Sequence, residues 1–480
     1  MSAVTILRLS IIYIKVIMFK RMKKSVRIFI LLIILAFSFT LFAFSRPTND
    51  VISARYENVA ANGRFEVCTG NSGDSAVFRF ETETEINTVV LKESGNTITS
   101  FRIYADGEET PIYGNDYIGG YRYCAFETKE VSSLRIEVLS SDSKWVLTSL
   151  EAYLIENRPD DFEVMSYINV DTAYLLSSEY AETASHVTQF NVFGAVFFDV
   201  NADLYIADYE LNETKINGKA LLSQAIANIR AINPSAKIVL TVLGNRDFGD
   251  GADTRDRHNS AMGTHGNKLT ANLLALLEEY DADGVSFDYE YPEKKSDFRT
   301  FANYIESLDR ALGDKLLTAA ISEWCIGWNR FSASDFDPLD SIEIMAYDLF
   351  DERGNHSTFY SAYSVVTNLI DKGVDMKKVH LGLPFYSRPI NGDTYWGLYH
   401  EIAYELSPYE NTVNEVYVNA DGREINSTPN YYNGRQMIYD KTRFALDAGL
   451  GGVMVWHFGC DSTDPELSLF AQIGAALGKD

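Results

Sequence analysis

Residues 283–292 read Asp283-Gly284-Val285-Ser286-Phe287-Asp288-Tyr289-Glu290-Tyr291-Pro292. Strand side chains alternate between faces, so Ser286, Asp288 and Glu290 share one face and Val285, Phe287 and Tyr289 share the other. The apolar face asks for packing against helices. The polar face then has to look into an enclosed space that opens to solvent. Two acids two residues apart on one strand lie roughly 7 Å apart at Cα. Burying them side by side is costly unless they share a proton or hydrogen bonds. An ionised Asp288 is expected to keep Glu290 protonated near neutral pH, as a general acid requires. The bland alternative is that these acids cap the following helix or sit in solvent.

Working outward, short apolar runs alternate with amphipathic segments. The runs are Phe162–Val170, Asn191–Val200, Lys237–Gly244, Gly284–Glu290, Leu316–Ser322, Ile342–Asp348, Val379–Phe385 and Gly451–Trp456. Between and after them lie helical patterns at Ala220–Ile232, Lys268–Tyr280, Asp297–Leu312, Phe359–Lys372, Arg443–Ala448 and Leu467–Leu477. Eight buried-type strands alternating with helices predict an α/β fold, a (β/α)8 TIM barrel over residues 161–480. Functional side chains in such a barrel gather at the C-terminal ends of the strands. A doubly wound sheet is the alternative, but it usually has fewer strands, and the chain has no GxGxxG or GxxxxGK[ST] loop.

The fourth run resembles the DGxDxDxE strand of glycoside hydrolase family 18, which includes chitinases and endo-β-N-acetylglucosaminidases. Ser341-Ile-Glu-Ile-Met345-Ala-Tyr347-Asp348 is similar to that family's MxYD strand. Leu381-Gly-Leu-Pro-Phe385-Tyr386-Ser-Arg388 is similar to its LGxPxYGR strand, with Ser387 in place of Gly, and Gly451-Gly-Val-Met-Val-Trp456 to its closing GGxMxW strand. Val164-Met-Ser-Tyr167 resembles its first strand, and Thr241-Val-Leu-Gly244 loosely resembles its third. The resemblance implies hydrolysis of β-1,4-linked N-acetylglucosamine with retention, assisted by the substrate's own acetamido group. It implies Glu290 as acid and base, Asp288 as the group that receives the acetamido N–H, and Tyr347 as the holder of the acetamido oxygen. Trp456 would form the floor under the sugar, Asp348 and Tyr167 would hydrogen-bond it, and Met345 would pack below. Tyr386 and Arg388 line the cleft, or Arg388 serves a structural pair. Ser286 stands where the family motif has an Asp; its hydroxyl can donate to Asp288 but carries no charge. The implied partner is an N-acetylglucosamine-containing polysaccharide or glycan: chitin, the chitobiose core of N-glycans, or peptidoglycan. A non-catalytic lectin using the same cleft is the rival of another class. No cofactor and no metal are expected, and the protein is expected to be a monomer.

Residues 51–155 read as β, with strands expected at Ala76–Phe80, Thr88–Lys92, Ser100–Tyr104, Ser133–Leu139 and Val146–Leu154. Short strands with frequent turns suggest a sandwich. Ser75-Ala-Val-Phe-Arg79-Phe, Thr88 to Gly95, Leu134-Arg-Ile-Glu-Val and Leu150-Glu-Ala-Tyr resemble a discoidin-like, coagulation-factor type C domain. That implies a carbohydrate-binding module; a spacer or barrel-packing domain is the alternative. Trp324, Trp328 and Trp396 are either sugar platforms or packed loop residues. Arg246–Asp256 reads as a solvated loop and His457 as a packed histidine.

The 480-residue chain is 46% hydrophobic and 23% charged, with a net charge of −25. Residues 1–46 hold eight Lys/Arg and no Asp/Glu, so the remainder has 34 basic against 67 acidic residues. Such a body repels phosphate backbones, which excludes nucleic acid as a partner class. The basic stretch Lys20–Arg27 precedes a 17-residue uncharged apolar run, Ile28–Phe44, with Ala43 and Ser45 placed as at a cleavage site. Residues 1–46 are therefore expected to be a signal peptide or an N-terminal membrane anchor, and the body to lie outside the cytoplasm. Of the four cysteines, Cys68 and Cys124 are the candidate disulfide in an oxidising compartment. Cys325 and Cys460 are expected to be free.

Overall fold

The polar–apolar alternation of Asp283–Pro292 becomes one stave of a closed barrel. In a computed structural model, residues 50–479 are described apart from 62, 64, 157, 212, 245–251, 391–396 and 419–423. The segment 1–46 and Trp396 lie outside the described residues, as does most of Arg246–Asp256; the rest of that run opens a helix, Ala252–Asn259. No described helix is long and apolar enough to cross a membrane.

Eight parallel strands close on themselves: Glu163–Asn169, Gln189–Phe198, Lys237–Leu243, Gly284–Asp288, Leu316–Ile321, Ser341–Ile344, Val379–Pro384 and Gly452–Trp456. The first pairs with both the second and the eighth. All eight expected runs are strands of this (β/α)8 barrel. Their outward residues, such as Val285, Phe287 and Leu317, join a large core with the surrounding helices. Their inward residues, including Met165, Tyr167, Phe193, Leu243, Ala320 and Met454, form a second, smaller apolar cluster inside the barrel.

Local chemistry sets the helix ends. Asn217 caps Gly218–Ile232 by accepting the Ala220 N–H at 3.4 Å. Helix Lys295–Leu312 buries Phe298, Phe301, Ile305, Leu308 and Leu312, a stripe at helical spacing, and Asp297 accepts the Lys294 N–H at 2.9 Å. One expectation is corrected. The helix expected at Arg443–Ala448 spans Arg435–Asp447, since its first turns bury Met437 and Ile438 but also the charged Asp440 and Lys441, which hid the apolar stripe. The segment between the fifth and sixth strands carries only short turns, Glu323–Cys325 and Ala333–Phe336.

The barrel floor is polar. His380 Nε2 lies 3.1 Å from Glu163 Oε2, and Lys237 Nζ 3.2 Å from Oε1. Gly452 makes this possible: a Cβ there would lie 2.3 Å from both His380 and the Glu163 carbonyl. Asp283 Oδ2 accepts the Ile238 N–H at 2.7 Å, so the first acid of the motif serves the strand below the site.

Residues 68–153 form a six-stranded antiparallel sheet. Its two longest strands, Ser75–Glu93 and Arg122–Ser141, pair with each other through bulges. At one end they pair with Ile98–Ala105, at the other with Trp145–Tyr153. Residues from both ends, among them Phe78, Ile103 and Leu134, and Val89, Leu91 and Leu147, share one core. The expected strands Ala76–Phe80 and Thr88–Lys92 are thus one strand, continuous through the acidic Glu81–Glu85, because bulges let it bend without breaking. Cys68 and Cys124 are not bonded to each other. Their strands are separated by two others in the sheet, roughly 14 Å at 4.8 Å per step, beyond disulfide reach. Sheet and barrel belong to one compact unit, Val51–Asp480.

Candidate active site

The fourth strand ends at Asp288, and Glu290 follows two residues on at the C-terminal mouth of the barrel. Ser286 is fully buried, whereas Asp288 and Glu290 are half-buried. Between them Tyr289 points outward and stacks on His258, with ring centroids 3.9 Å apart. The strand therefore presents its alternating faces as the sequence pattern predicts.

Asp288 and Glu290 are hydrogen-bonded to each other. Burial, then the charge and hydrogen bond of Glu290, then the charge of Glu343, raise the Asp288 carboxyl well above the usual carboxylate range. Such a pair titrates as a unit that holds one proton. Asp288 is thus itself a raised carboxyl, beside the Glu290 that the sequence pattern expects to hold the proton. The physical reason is that Asp288 lies deeper and faces two carboxyls. Its Oδ1 is covered and has no hydrogen-bond partner. On the other side of Glu290, the Tyr291 hydroxyl hydrogen-bonds the carboxylate, and burial and that charge raise the phenol. Tyr291 packs edge-on to Trp324, with centroids 5.0 Å apart.

The sixth strand brings Tyr347 to the same mouth. Its hydroxyl is 3.9 Å from Met454 Sδ, and burial, then the charges of Asp288 and Glu290, raise it well above the usual phenol range. Gly382 on the seventh strand leaves room for this ring, since a Cβ would lie 2.9 Å from Tyr347 Cε1. Tyr386 is buried edge-on to Tyr347 at 6.2 Å and interacts with Asp348. Burial raises the Asp348 carboxyl, but His356 and Arg388 outweigh it and leave the group below its ordinary range. Arg388 Nε lies 3.6 Å from Asp348 Oδ1, and His356 Nε2 accepts the Asp348 N–H at 3.0 Å. Trp456, half-buried, meets Phe193 edge-on at 5.0 Å and Tyr167 at 5.4 Å. Met345 packs against the inner cluster. All nine sequence-selected residues thus line one end of the barrel or the layer beneath it.

One member of that layer was missed. Glu343 is fully buried and accepts hydrogen bonds from the Tyr167 hydroxyl, from Asn191 Nδ2 at 2.8 Å and from Ser286 Oγ at 3.3 Å. The signal was present: Ser341, Glu343 and Met345 alternate with Ile342, Ile344 and Ala346, which places Glu343 on the inward face. Trp328 is almost fully exposed and Trp324 partly so. His457 is packed, with burial pushing it down to about 4.

A hydrogen-bonded carboxyl pair at the C-terminal mouth of a (β/α)8 barrel, flanked by a tyrosine and a tryptophan, is the arrangement of a glycosidase. Residues 163–461 match the model of glycosyl hydrolases family 18. The chain belongs to that family and is a glycosidase. It is 23% identical over 404 residues to chitinase B of Serratia marcescens, covering 64% of this chain and 80% of that protein. It is 26% identical over 232 residues to an endochitinase of Manduca sexta, covering 41% of this chain and 40% of that protein. Among solved structures, the chitinase ChiB from the chitin utilization locus of Flavobacterium johnsoniae has a TM-score of 0.51 at 23% identity, covering 66% of this chain and 94% of that one. A chitinase-like agglutinin from Robinia pseudoacacia has a TM-score of 0.50 at 21% identity, covering 65% and 99%.

Proposed function

We propose that the protein hydrolyses β-1,4 linkages of N-acetylglucosamine in chitin or chito-oligosaccharides, with retention and through an oxazolinium intermediate. The hydrogen-bonded pair Asp288–Glu290, sharing a proton beside Tyr347, carries this reading. When the substrate's acetamido N–H approaches Asp288, that carboxyl becomes an acceptor and its proton passes to Glu290. Glu290 then gives the proton to the glycosidic oxygen while the acetamido carbonyl oxygen attacks the anomeric carbon. Tyr347 donates to that oxygen, and ionised Asp288 offsets the positive charge of the ring that forms. Glu290, now a carboxylate, takes a proton from water, which attacks the same carbon from the face the leaving group left, while the bond from that carbon to the acetamido oxygen breaks and the acetamido group is restored. Two inversions give retention. Positioning and electrostatic stabilisation supply the rate, so no metal is required. Trp456 is assigned to the floor under the sugar, where its ring meets the less hydrated C–H face. Asp348, Tyr386 and Tyr167 are assigned to orienting the sugar and its holders.

The sheet of residues 68–153 is assigned a supporting role. Arg122 Nη2 is 3.1 Å from Asp440 of helix Arg435–Asp447, and the Tyr113 hydroxyl donates to Asp440 at 2.6 Å. Such buried polar contacts suit a fixed support better than a tethered binding module. Residues 1–46 are assigned to export.

The test is to incubate the purified full-length protein with chitin oligosaccharides, a high-mannose glycopeptide and peptidoglycan, beside Glu290→Gln, and to read products by mass spectrometry. Cleavage of the oligosaccharides by the parent alone is expected. Binding without cleavage would install the lectin reading. Cleavage of the glycopeptide or peptidoglycan alone would reassign the substrate.

A further inference from the structure

Ser286 carries no charge, yet Asp288 is not without a charged neighbour on the side away from Glu290. Asp288, Ala320 and Glu343 stand in register on the fourth, fifth and sixth strands. Two strand spacings separate the acids, roughly 10 Å at Cα. The intervening Ala320 fills little of that gap, and Glu343 acts on Asp288 across it.

Glu343 is enclosed by hydrogen-bond donors. Its partners come from three strands: Tyr167 from the first, Asn191 from the second and Ser286 from the fourth. The Asn191 amide is oriented by Gln189 Nε2, which donates to Asn191 Oδ1 at 2.8 Å and so turns the Asn191 N–H toward Glu343. The Tyr167 O–H and the Asn191 amide N–H both donate to this one carboxyl, whose two oxygens act as acceptors. Burying a carboxylate among neutral donors is costly in general. A glutamine could take part in the same hydrogen bonds without that cost, so the charge itself needs a use. The group within reach is Asp288, and Glu343 acts on it electrostatically.

We propose that Glu343 is a positioning anion for the catalytic pair, a carboxylate supplied by the sixth strand that keeps one proton on Asp288 and Glu290 and releases it only to bound substrate. This rests on the roles given to Asp288 and Glu290 above. With Glu343 charged, ionising both members of the pair would place three negative groups together. The pair therefore retains its proton to higher pH, and Glu290 is ready as an acid when the acetamido N–H takes over Asp288. Tyr167 and Tyr347, which also face this space, stay protonated throughout the working range, because burial and the same carboxyls raise them. Asp348 lies farther out, tied to His356 and Arg388.

The experiment compares pH profiles of kcat/KM on a chitin oligosaccharide for the parent, Glu343→Gln, Glu343→Asp and the double variant Ser286→Asp with Glu343→Gln. The alkaline limb reports loss of the shared proton. Removing the Glu343 charge is expected to move that limb down by about one pH unit. At neutral pH kcat should fall with KM nearly unchanged. Glu343→Asp should keep the limb. The double variant should return it toward the parent, because a carboxylate at position 286 would occupy the space where Ser286 Oγ now meets Glu343. In parallel, 13C-aspartate NMR titration, with the Asp288 signal assigned by Asp288→Asn, should show Asp288 losing its proton at lower pH in Glu343→Gln. A limb and an Asp288 titration that stay put in folded Glu343→Gln would overturn the proposal, even if activity drops. If that variant does not fold, displaced limbs in both the Asp variant and the double variant would overturn it equally. If the parent cuts no oligosaccharide, the functional reading fails on its own, and the NMR titration still decides the role of Glu343.

Discussion

Two of the regions in which this molecule buries carboxylates treat them in opposite ways. Where sheet meets barrel, Asp440 faces Arg122 at 3.1 Å and Asp447 faces Arg158 at 2.7 Å. In the barrel mouth, both charges that act on Asp288 are negative. The first arrangement neutralises charge and fastens two surfaces. The second concentrates like charge, which raises the Asp288 carboxyl. Burial is common to both regions; the sign of the neighbouring charge is what differs.

The largest expected effect breaks the mouth. Glu290→Gln should lower kcat by about 10² to 10⁴, the usual worth of a general acid, with the melting temperature unchanged. A loss smaller than tenfold would move the acid elsewhere. The next effect is at the interface and reads out only as stability. Arg122→Met leaves Asp440 buried without its cation and should cost about 3–5 kcal/mol in urea unfolding. Adding Asp440→Asn should recover part of that; a double variant as unstable as the single would mean the arginine acts by packing alone. Tyr347→Phe sharpens the contrast, because it should reduce kcat on the order of 10² while leaving unfolding free energy nearly unchanged. An unchanged kcat would remove Tyr347 from the reaction.

The smallest effect concerns the barrel floor. The His380 hydrogen bond brings Glu163 down to about 2, against burial and with help from the His380 and Lys237 charges. The native state thus binds fewer protons than the unfolded chain between about pH 4.5 and 2. This stabilisation is present above that window and is lost as pH falls through it. Because Glu163 is about one-third exposed, the loss should be about 1 kcal/mol after solvent screening. Glu163→Gln should flatten that part of the stability profile; an equally steep fall would assign it to other carboxyls.

Much of this was legible in the chain. Strand alternation in Asp283–Pro292 placed Ser286, Asp288 and Glu290 inward, and eight apolar runs with helices between them defined the barrel. These features are local and repeat with a fixed period, so a linear reading recovers them. The helix from Arg435 was cut short because its early turns bury Asp440 and Lys441, whose partners lie on distant segments. The strand Ser75–Glu93 was split because its acidic middle looks like a turn until its pairing with Arg122–Ser141 is known. The disulfide between Cys68 and Cys124 was offered by composition and refused by strand order.

The sequence by itself determined the candidates for the chemistry: two acids at alternating positions, a tyrosine and a tryptophan at later strand ends. Only the tertiary structure decided which carboxyls surround Asp288 and raise it. Residue types and spacing along one strand set the side-chain direction, which is a local property. Charge interactions act through space, and Glu343, 55 residues from Asp288 in the chain, reaches it only because the fourth and sixth strands of the barrel flank a small Ala320.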